Sequence, residues 1–370
     1  MDGYRRKLTE ALARIEQIHP DGVDTKQDLV VDIRTAAELS LGLIPNAVVL
    51  PAANLVASIE PLTSGGSRRI VVYCAVGERS AIAAAALLDA GYTNVTSLAG
   101  GIKRWMALGL PTESGSGLTE ASRQRYARHL VLPQVGAAGQ RALLDARVLI
   151  VGAGGLGSPA ALYLAAAGVG TIGLIDDDDV DISNLQRQIL HTTNAAGTPK
   201  TVSGAQRLAG LNPDIAVIPQ QTRLTAENAV EIMAGYDLTV DATDNFAARY
   251  VLNDASMHLD TPVVHGSVFR FEGQIAVFRP GESACYRCVF PEPPPAEFAP
   301  TCAQAGVFGV LPGVIGTMQA AEALKLILGI GEPLVGKMLV YDALSQSTYT
   351  LRLRRREGCS ACGELSRRSG

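Results

Sequence analysis

Arg147-Val-Leu-Ile-Val-Gly-Ala-Gly-Gly-Leu-Gly-Ser158 reads as a buried strand, Val148 to Val151, that runs into a glycine turn and opens a helix. In the pattern Gly152-x-Gly154-x-x-Gly157, the first glycine permits the tight turn and the second lets backbone N–H groups approach a phosphate. The third lets the helix pack close to the sheet. The positive end of that helix then faces the anion. A second apolar strand, Thr171 to Ile175, ends in Asp176, at the spacing where an acid meets a ribose hydroxyl. The fold class is therefore α/β, with a nucleotide site expected at the strand ends.

A nicotinamide-dependent oxidoreductase shares all of these features, and the residues beyond Asp176 separate the two readings. The chain continues with Asp178, then Ile182-Ser183-Asn184-Leu185-Gln186-Arg187-Gln188, Thr198-Pro199-Lys200 and Val240-Asp241-Ala242-Thr243-Asp244-Asn245. No hydride-transfer constellation accompanies the turn. These motifs resemble the MoeB/ThiF family, relatives of ubiquitin-activating enzymes that adenylate the C-terminal glycine of small sulfur-carrier proteins. The resemblance runs from about Thr119 to Gly363 and implies a Rossmann-like domain that uses ATP and Mg²⁺.

Residue by residue, the resemblance lays Gly155 against the nucleotide and gives the ribose to Asp176. It assigns nucleotide or phosphate contacts to Ser183, Asn184, Leu185, Gln186, Arg187 and Lys200, and Mg²⁺ to Asp244, with Asn245 beside it and Asp178 near the metal. Asp177 and Asp179 read as solvated. A helix from Thr119 to Leu130 carries Arg128, matching a family arginine near the phosphates. The family arginine matching Arg187 crosses from a second subunit, which implies a homodimer.

Upstream, Leu29-Val-Val-Asp-Ile-Arg34 and Ile70-Val-Val-Tyr-Cys74 are short buried strands, and Ala81 to Ala90 is an Ala- and Leu-rich helix. A cysteine between a strand and a helix N-terminus sits among inward-pointing N–H groups that stabilise a thiolate or persulfide, and Arg79 adds positive charge. The loop Cys74, Gly77, Arg79, Ser80, with Asp32-Ile33-Arg34 and Leu98-Ala99-Gly100-Gly101-Ile102, resembles a rhodanese domain from roughly Pro20 to Glu113. The resemblance makes Cys74 the persulfide carrier. It departs at Gly42-Leu43-Ile44-Pro45-Asn46, where the family has His and Gly in place of Leu43 and Asn46. Ser114-Gly115-Ser116-Gly117 has linker composition, giving a domain 1–113, a linker 114–118 and a second domain 119–370.

Cys285-Tyr-Arg-Cys288 and Cys359-Ser-Ala-Cys362 form two Cys-x-x-Cys knuckles. Four thiolates suit tetrahedral Zn²⁺ with no open position, a structural site that pins the C-terminal tail. Cys302 stands apart, beyond the Pro-rich stretch Glu292 to Pro300, and matches a family thiol that links covalently to the activated carrier. From Gly313 to Leu328 an amphipathic helix is expected, with Glu322 and Lys325 on its wet side and Met318 packed.

The chain has 370 residues and a formal net charge of −4. That length allows two or three domains, and the acidic balance argues against nucleic acid as a partner. The basic run Arg352, Arg354, Arg355, Arg356 reads as a solvated strand end. Val148 to Ile175 is uncharged and long enough to span a bilayer, but its glycines and Pro159 fit strand, turn, helix and strand, so no membrane is expected. The charged start of the chain lacks the apolar core of a signal peptide, and the protein is expected in the cytoplasm. Together the two resemblances imply adenylation of the Gly-Gly end of a ubiquitin-like carrier, of the molybdopterin synthase small-subunit type, with thiamine or cysteine pathways as alternatives. Sulfur for a thiocarboxylate comes from Cys74, loaded by a cysteine desulfurase or other persulfide donor.

Overall fold

A computed structural model describes residues 2–35, 38–39, 42–63, 68–112, 118–293 and 306–363. Cys302, most of the Pro-rich stretch and Ser114 to Gly117 lie outside them. Of the expected linker only Leu118 is described, and it is buried. The chain divides into two compact units, Met1–Arg141 and Ala142–Gly370, so that residues 119–141 group with the first.

In the first unit β1 (Glu16–Ile18), β2 (Leu29–Asp32), β3 (Val48–Val49), β4 (Ile70–Tyr73) and β5 (Val95–Leu98) form a parallel sheet in the order β1-β5-β4-β2-β3. The central strands β2, β4 and β5 are buried throughout, as continuous apolar strands in a parallel sheet must be. Arg34 is fully buried. Its Nη2 donates to Asp32 Oδ2 at 2.5 Å and to Gly42 O at 2.6 Å, and Nη1 donates to Glu38 O at 3.0 Å. Asn46, where the resembled family has glycine, adopts φ 63°, a left-handed conformation that asparagine tolerates better than most residues. The helix expected over Thr119 to Leu130 is two helices, Glu120–Arg125 and Ala127–Leu130, broken at Tyr126, whose side chain turns into the interior.

In the second unit β6 (Arg147–Val151), β7 (Thr171–Ile175), β8 (Ala216–Gln220), β9 (Leu238–Asp241), β10 (Val263–Phe269), β11 (Glu272–Phe278), β12 (Lys337–Asp342) and β13 (Ser347–Arg352) form one sheet. Its order is β13-β12-β11-β10-β9-β6-β7-β8, parallel from β10 to β8 and antiparallel from β10 to β13. β6 lies between β7 and β9, so successive connections leave it in opposite directions. That switch point opens a crevice at the carboxyl ends of the strands, where open α/β sheets bind ligands.

The helix Leu311–Leu328 is long and apolar enough to cross a membrane, but it packs on the helix Gly157–Ala167 and on β10 and β11. Leu311, Ile315, Ala320 and Ala323 join the core formed by Val148, Ile150, Leu164 and Val240. Glu322, expected on the wet side, is buried. Its Oε2 accepts the Leu334 N–H at 2.8 Å and its other oxygen pairs with Lys325, because the chain after the helix folds back over that face. Met318 packs against the core as expected.

Candidate active sites and metal centre

The glycine turn has the expected form. Gly152 has φ 101°, and a Cβ on Gly157 would lie 1.8 Å from the Gly152 carbonyl oxygen, so neither position accepts a side chain without moving the backbone. Ala153 between them is pinned on both sides. Its N–H donates to Asp176 Oδ2 at 2.8 Å, and its carbonyl accepts from His191 Nε2 at 2.8 Å. Asp176 Oδ1 accepts the Asp178 N–H at 2.9 Å. Burial raises the Asp176 carboxyl above the usual range, against the pull of Lys200 and these N–H groups. Burial pushes the His191 ring below the usual imidazole range.

A cleft of about 1000 Å³ opens above this turn. Gly155, Asp176, Asp178, Arg187, Lys200, Asp244 and Asn245 all line it, so the structure brings together most of the expected residues. Lys200 is 4 % exposed, and its Nζ donates to Asp178 Oδ2 at 2.7 Å and stands 3.8 Å from Asp176 Oδ1. Arg187 Nη2 donates to Asn184 Oδ1 at 2.9 Å. Arg187 thus lines the cleft of its own chain.

Asn245, expected beside the metal, accepts the Ala248 N–H at 2.9 Å and caps the helix Phe246–Leu259, leaving Asp244 exposed at the mouth of the turn. Ser183 is exposed and bonds Asp181, while Leu185 is half-buried and Gln186 lies against Gly309. Arg128 is exposed in the first unit. Asp177, read as solvated, accepts from Arg223 Nε at 2.8 Å, and both line the cleft. Sequence reasoning passed over His191, Arg223, Arg249, His265 and Tyr286. A single histidine in an apolar strand, such as His265, carries no signal of a site.

In the first unit Cys74 is buried at the base of its loop. Gly77 N–H donates to its Sγ at 3.2 Å, and Ser80 Oγ lies 3.5 Å away. Arg79 is held by Glu38 through two hydrogen bonds, one of 3.0 Å, and its hydrogen bonding draws the Glu38 carboxyl down to about 2.

The four knuckle cysteines converge, with sulfur atoms within 4.8 Å of one another. Cys285 and Cys359 sulfurs are 3.6 Å apart, and those of Cys288 and Cys362 are 3.3 Å apart. Zn–S bonds of about 2.3 Å in a tetrahedron separate the sulfurs by about 3.8 Å, so the set fits Zn²⁺. Burial and the neighbouring Cys288 and Cys362 push the Cys285 thiol up. Burial also opposes ionisation of Cys359, but N–H groups of Cys362 and Ala361 bring it to about 7. Four thiolates in so small a space need a cation. The basic run Arg352, Arg354, Arg355, Arg356 is exposed as expected, and Arg355 also donates to the carbonyls of Ser283, at 3.0 Å, and Gly281, beside the first knuckle.

The chain matches the ThiF family over residues 126–361 and a rhodanese-like domain over residues 12–108. It belongs to the ThiF family. The sulfur carrier protein adenylyltransferase of Thermus thermophilus is 52 % identical over 251 residues, covering 66 % of this chain and 93 % of its own. A probable adenylyltransferase/sulfurtransferase, MoeZ of Mycobacterium tuberculosis, is 47 % identical over 256 residues, covering 68 % of this chain and 65 % of its own. The crystal structure of E. coli MccB superposes with a TM-score of 0.59 at 22 % identity, over 68 % of this chain and 75 % of that one, a likeness of fold. One chain therefore carries a rhodanese-like domain and a ThiF-family Rossmann-like domain, the latter with a cysteine cluster fit for zinc.

Proposed function

We propose that the second unit uses ATP to adenylate the C-terminal glycine of a small ubiquitin-like sulfur carrier, and that Cys74 supplies the sulfur that replaces AMP. The observation that supports this most strongly is the cleft at the switch point, which Lys200, Arg187, Asp176, Asp178 and Asp244 line together. Attack by a carboxylate oxygen on the α-phosphate, with pyrophosphate leaving, calls for positioning and charge neutralisation rather than covalent help.

In this reading the turn N–H groups and Arg187 hold phosphates, and Lys200 exchanges the Asp178 carboxylate for a phosphate oxygen. Asp178, so released, and Asp244 would hold Mg²⁺. When bound, the ion offsets the negative charge of the triphosphate. The segment Ser183 to Gln186 beside Arg187 would add further nucleotide contacts. A persulfide on Cys74, loaded by a cysteine desulfurase or a similar donor, attacks the acyl carbonyl through its terminal sulfur and AMP leaves. A thiol then attacks the Cys74 sulfur of the acyl disulfide, so that the thiocarboxylate leaves and a disulfide remains between Cys74 and that thiol, to be reduced by a further thiol before the next turnover. Cys302 is the candidate for a covalent link to the activated carrier end.

The carrier is of the molybdopterin synthase small-subunit type or a thiamine- or cysteine-pathway counterpart. A homodimer is part of the reading and is checked by the mass in solution. A reducing compartment, the cytoplasm, suits the free thiols of Cys74 and the knuckles. The test is mass spectrometry of small Gly-Gly-ended proteins incubated with ATP and persulfide-loaded protein. Replacement of a terminal oxygen by sulfur in one of them supports the reading; carriers unchanged across the panel contradict it.

A further inference from the structure

Two neighbouring strands, β9 and β10, bring Asp241 and His265 into register beneath the cleft. Both side chains are buried, with Asp241 Oδ2 and His265 Nδ1 2.7 Å apart. Asp241 Oδ1 accepts the Thr243 N–H at 3.1 Å and the Thr243 hydroxyl at 2.6 Å. The Asp241 carbonyl accepts from Gln319 Nε2 at 2.7 Å, which also donates to Val264 O at 3.0 Å. Arg249 Nη2 donates to Thr243 O at 3.1 Å. The turn is therefore fixed from its side chains and its backbone, and the next residue along it is Asp244.

Burial opposes a charge on Asp241, but the hydrogen bond from His265, and then Arg249 and Thr243, hold its carboxyl below the usual range. Burial keeps the His265 ring below the usual imidazole range. The pair is a carboxylate and a neutral imidazole, and since a carboxylate only accepts, the imidazole proton is assigned to Nδ1. A buried carboxylate carries a large desolvation cost, which a turn needing only closure would avoid with a neutral side chain. Behind His265 packs the ring of Tyr286, 5.3 Å away, from within the first cysteine knuckle.

We propose that Asp241 and His265 are positioning residues for Asp244. His265 orients the Asp241 carboxylate, which ties down Thr243, so that Asp244 is presented to the metal-bound triphosphate in one orientation. The inference rests on the reading of Asp244 as a Mg²⁺ ligand.

The test is calorimetric titration of the full-length protein with ATP, with and without Mg²⁺. Mg²⁺ tightens ATP binding in the parent, and His265→Leu reduces that gain, read as the ratio of the affinities with and without Mg²⁺, by about tenfold, the scale of one lost charged hydrogen bond. His265→Asn, whose amide N–H can take the place of Nδ1–H, restores the gain. Thr243→Val, which removes the hydroxyl at constant volume, gives a smaller loss of the same kind, and it decides the matter if His265→Leu does not fold. A full Mg²⁺ gain in His265→Leu or Thr243→Val, with the gain lost in Asp244→Ala, overturns the positioning role alone. A full gain in Asp244→Ala overturns the reading of Asp244 and the inference with it.

Discussion

The Ala153 N–H donates to Asp176 Oδ2 at 2.8 Å, so the turn after β6 is bonded to the acid that ends β7. Asp176 thus shapes the site before any nucleotide arrives, and its Oδ1 does the same for Asp178. Asp176→Ala leaves both N–H groups without their acceptor. It is expected to lower stability by about 1–3 kcal/mol and to weaken ATP binding as well, measured by denaturant unfolding and by calorimetry. Asp176→Asn, which keeps an acceptor oxygen, recovers part of the stability.

The cysteine cluster makes its own prediction. Removing Zn²⁺ with a chelator, or replacing Cys359 by Ser, takes away the cation that holds four sulfurs together, lowering stability by about 4 kcal/mol or more. The checks are metal content and the midpoint of unfolding. An unchanged midpoint after complete loss of metal would refute a structural zinc site.

His191 and His265 both have folded pKa values below the ordinary 6.5 because they are buried. A base depressed in the folded state binds protons more readily when unfolded. Stability is therefore lost as pH falls through about 6.5 toward the folded values, and levels off beneath them. Denaturant midpoints measured from about pH 8 down to about pH 5 should fall along this path. His191→Gln, which keeps a donor for the Ala153 carbonyl, should reduce the slope.

In the first unit Cys74 receives the Gly77 N–H at 3.2 Å, a donor suited to a sulfur anion. Cys74→Ala should abolish sulfur transfer completely while ATP-dependent pyrophosphate exchange persists. The two activities are read separately, by labelled sulfur and labelled pyrophosphate.

Much of this was legible in the residues. The turn Gly152 to Gly157, the acid Asp176 and the knuckles Cys285 to Cys362 each have a spacing dictated by local geometry, and each stands as expected. Contacts set by distant segments were not legible. Glu322 looked solvent-facing because its burial is made by residues near Leu334, beyond the end of its own helix. Asn245 lines the cleft beside Asp244 as expected, but its second role as the cap of the helix Phe246–Leu259 was not read from the sequence. Arg355 is solvated as it looked, but its bonds to the carbonyls of Gly281 and Ser283 come from a segment some seventy residues away. His265 gains meaning only once β10 is known to lie beside β9, a pairing that no local spacing records.

In the proposed function, the crevice that joins Lys200 and Asp244 activates a protein's terminal carboxylate. Exchange of labelled pyrophosphate into ATP, measured with and without Gly-Gly-ended carriers, tests it most directly. Exchange should depend on one such carrier, disappear in Asp244→Ala and survive in Cys74→Ala. Tight NADH binding with no ATP binding, or exchange undiminished in Asp244→Ala, would contradict it.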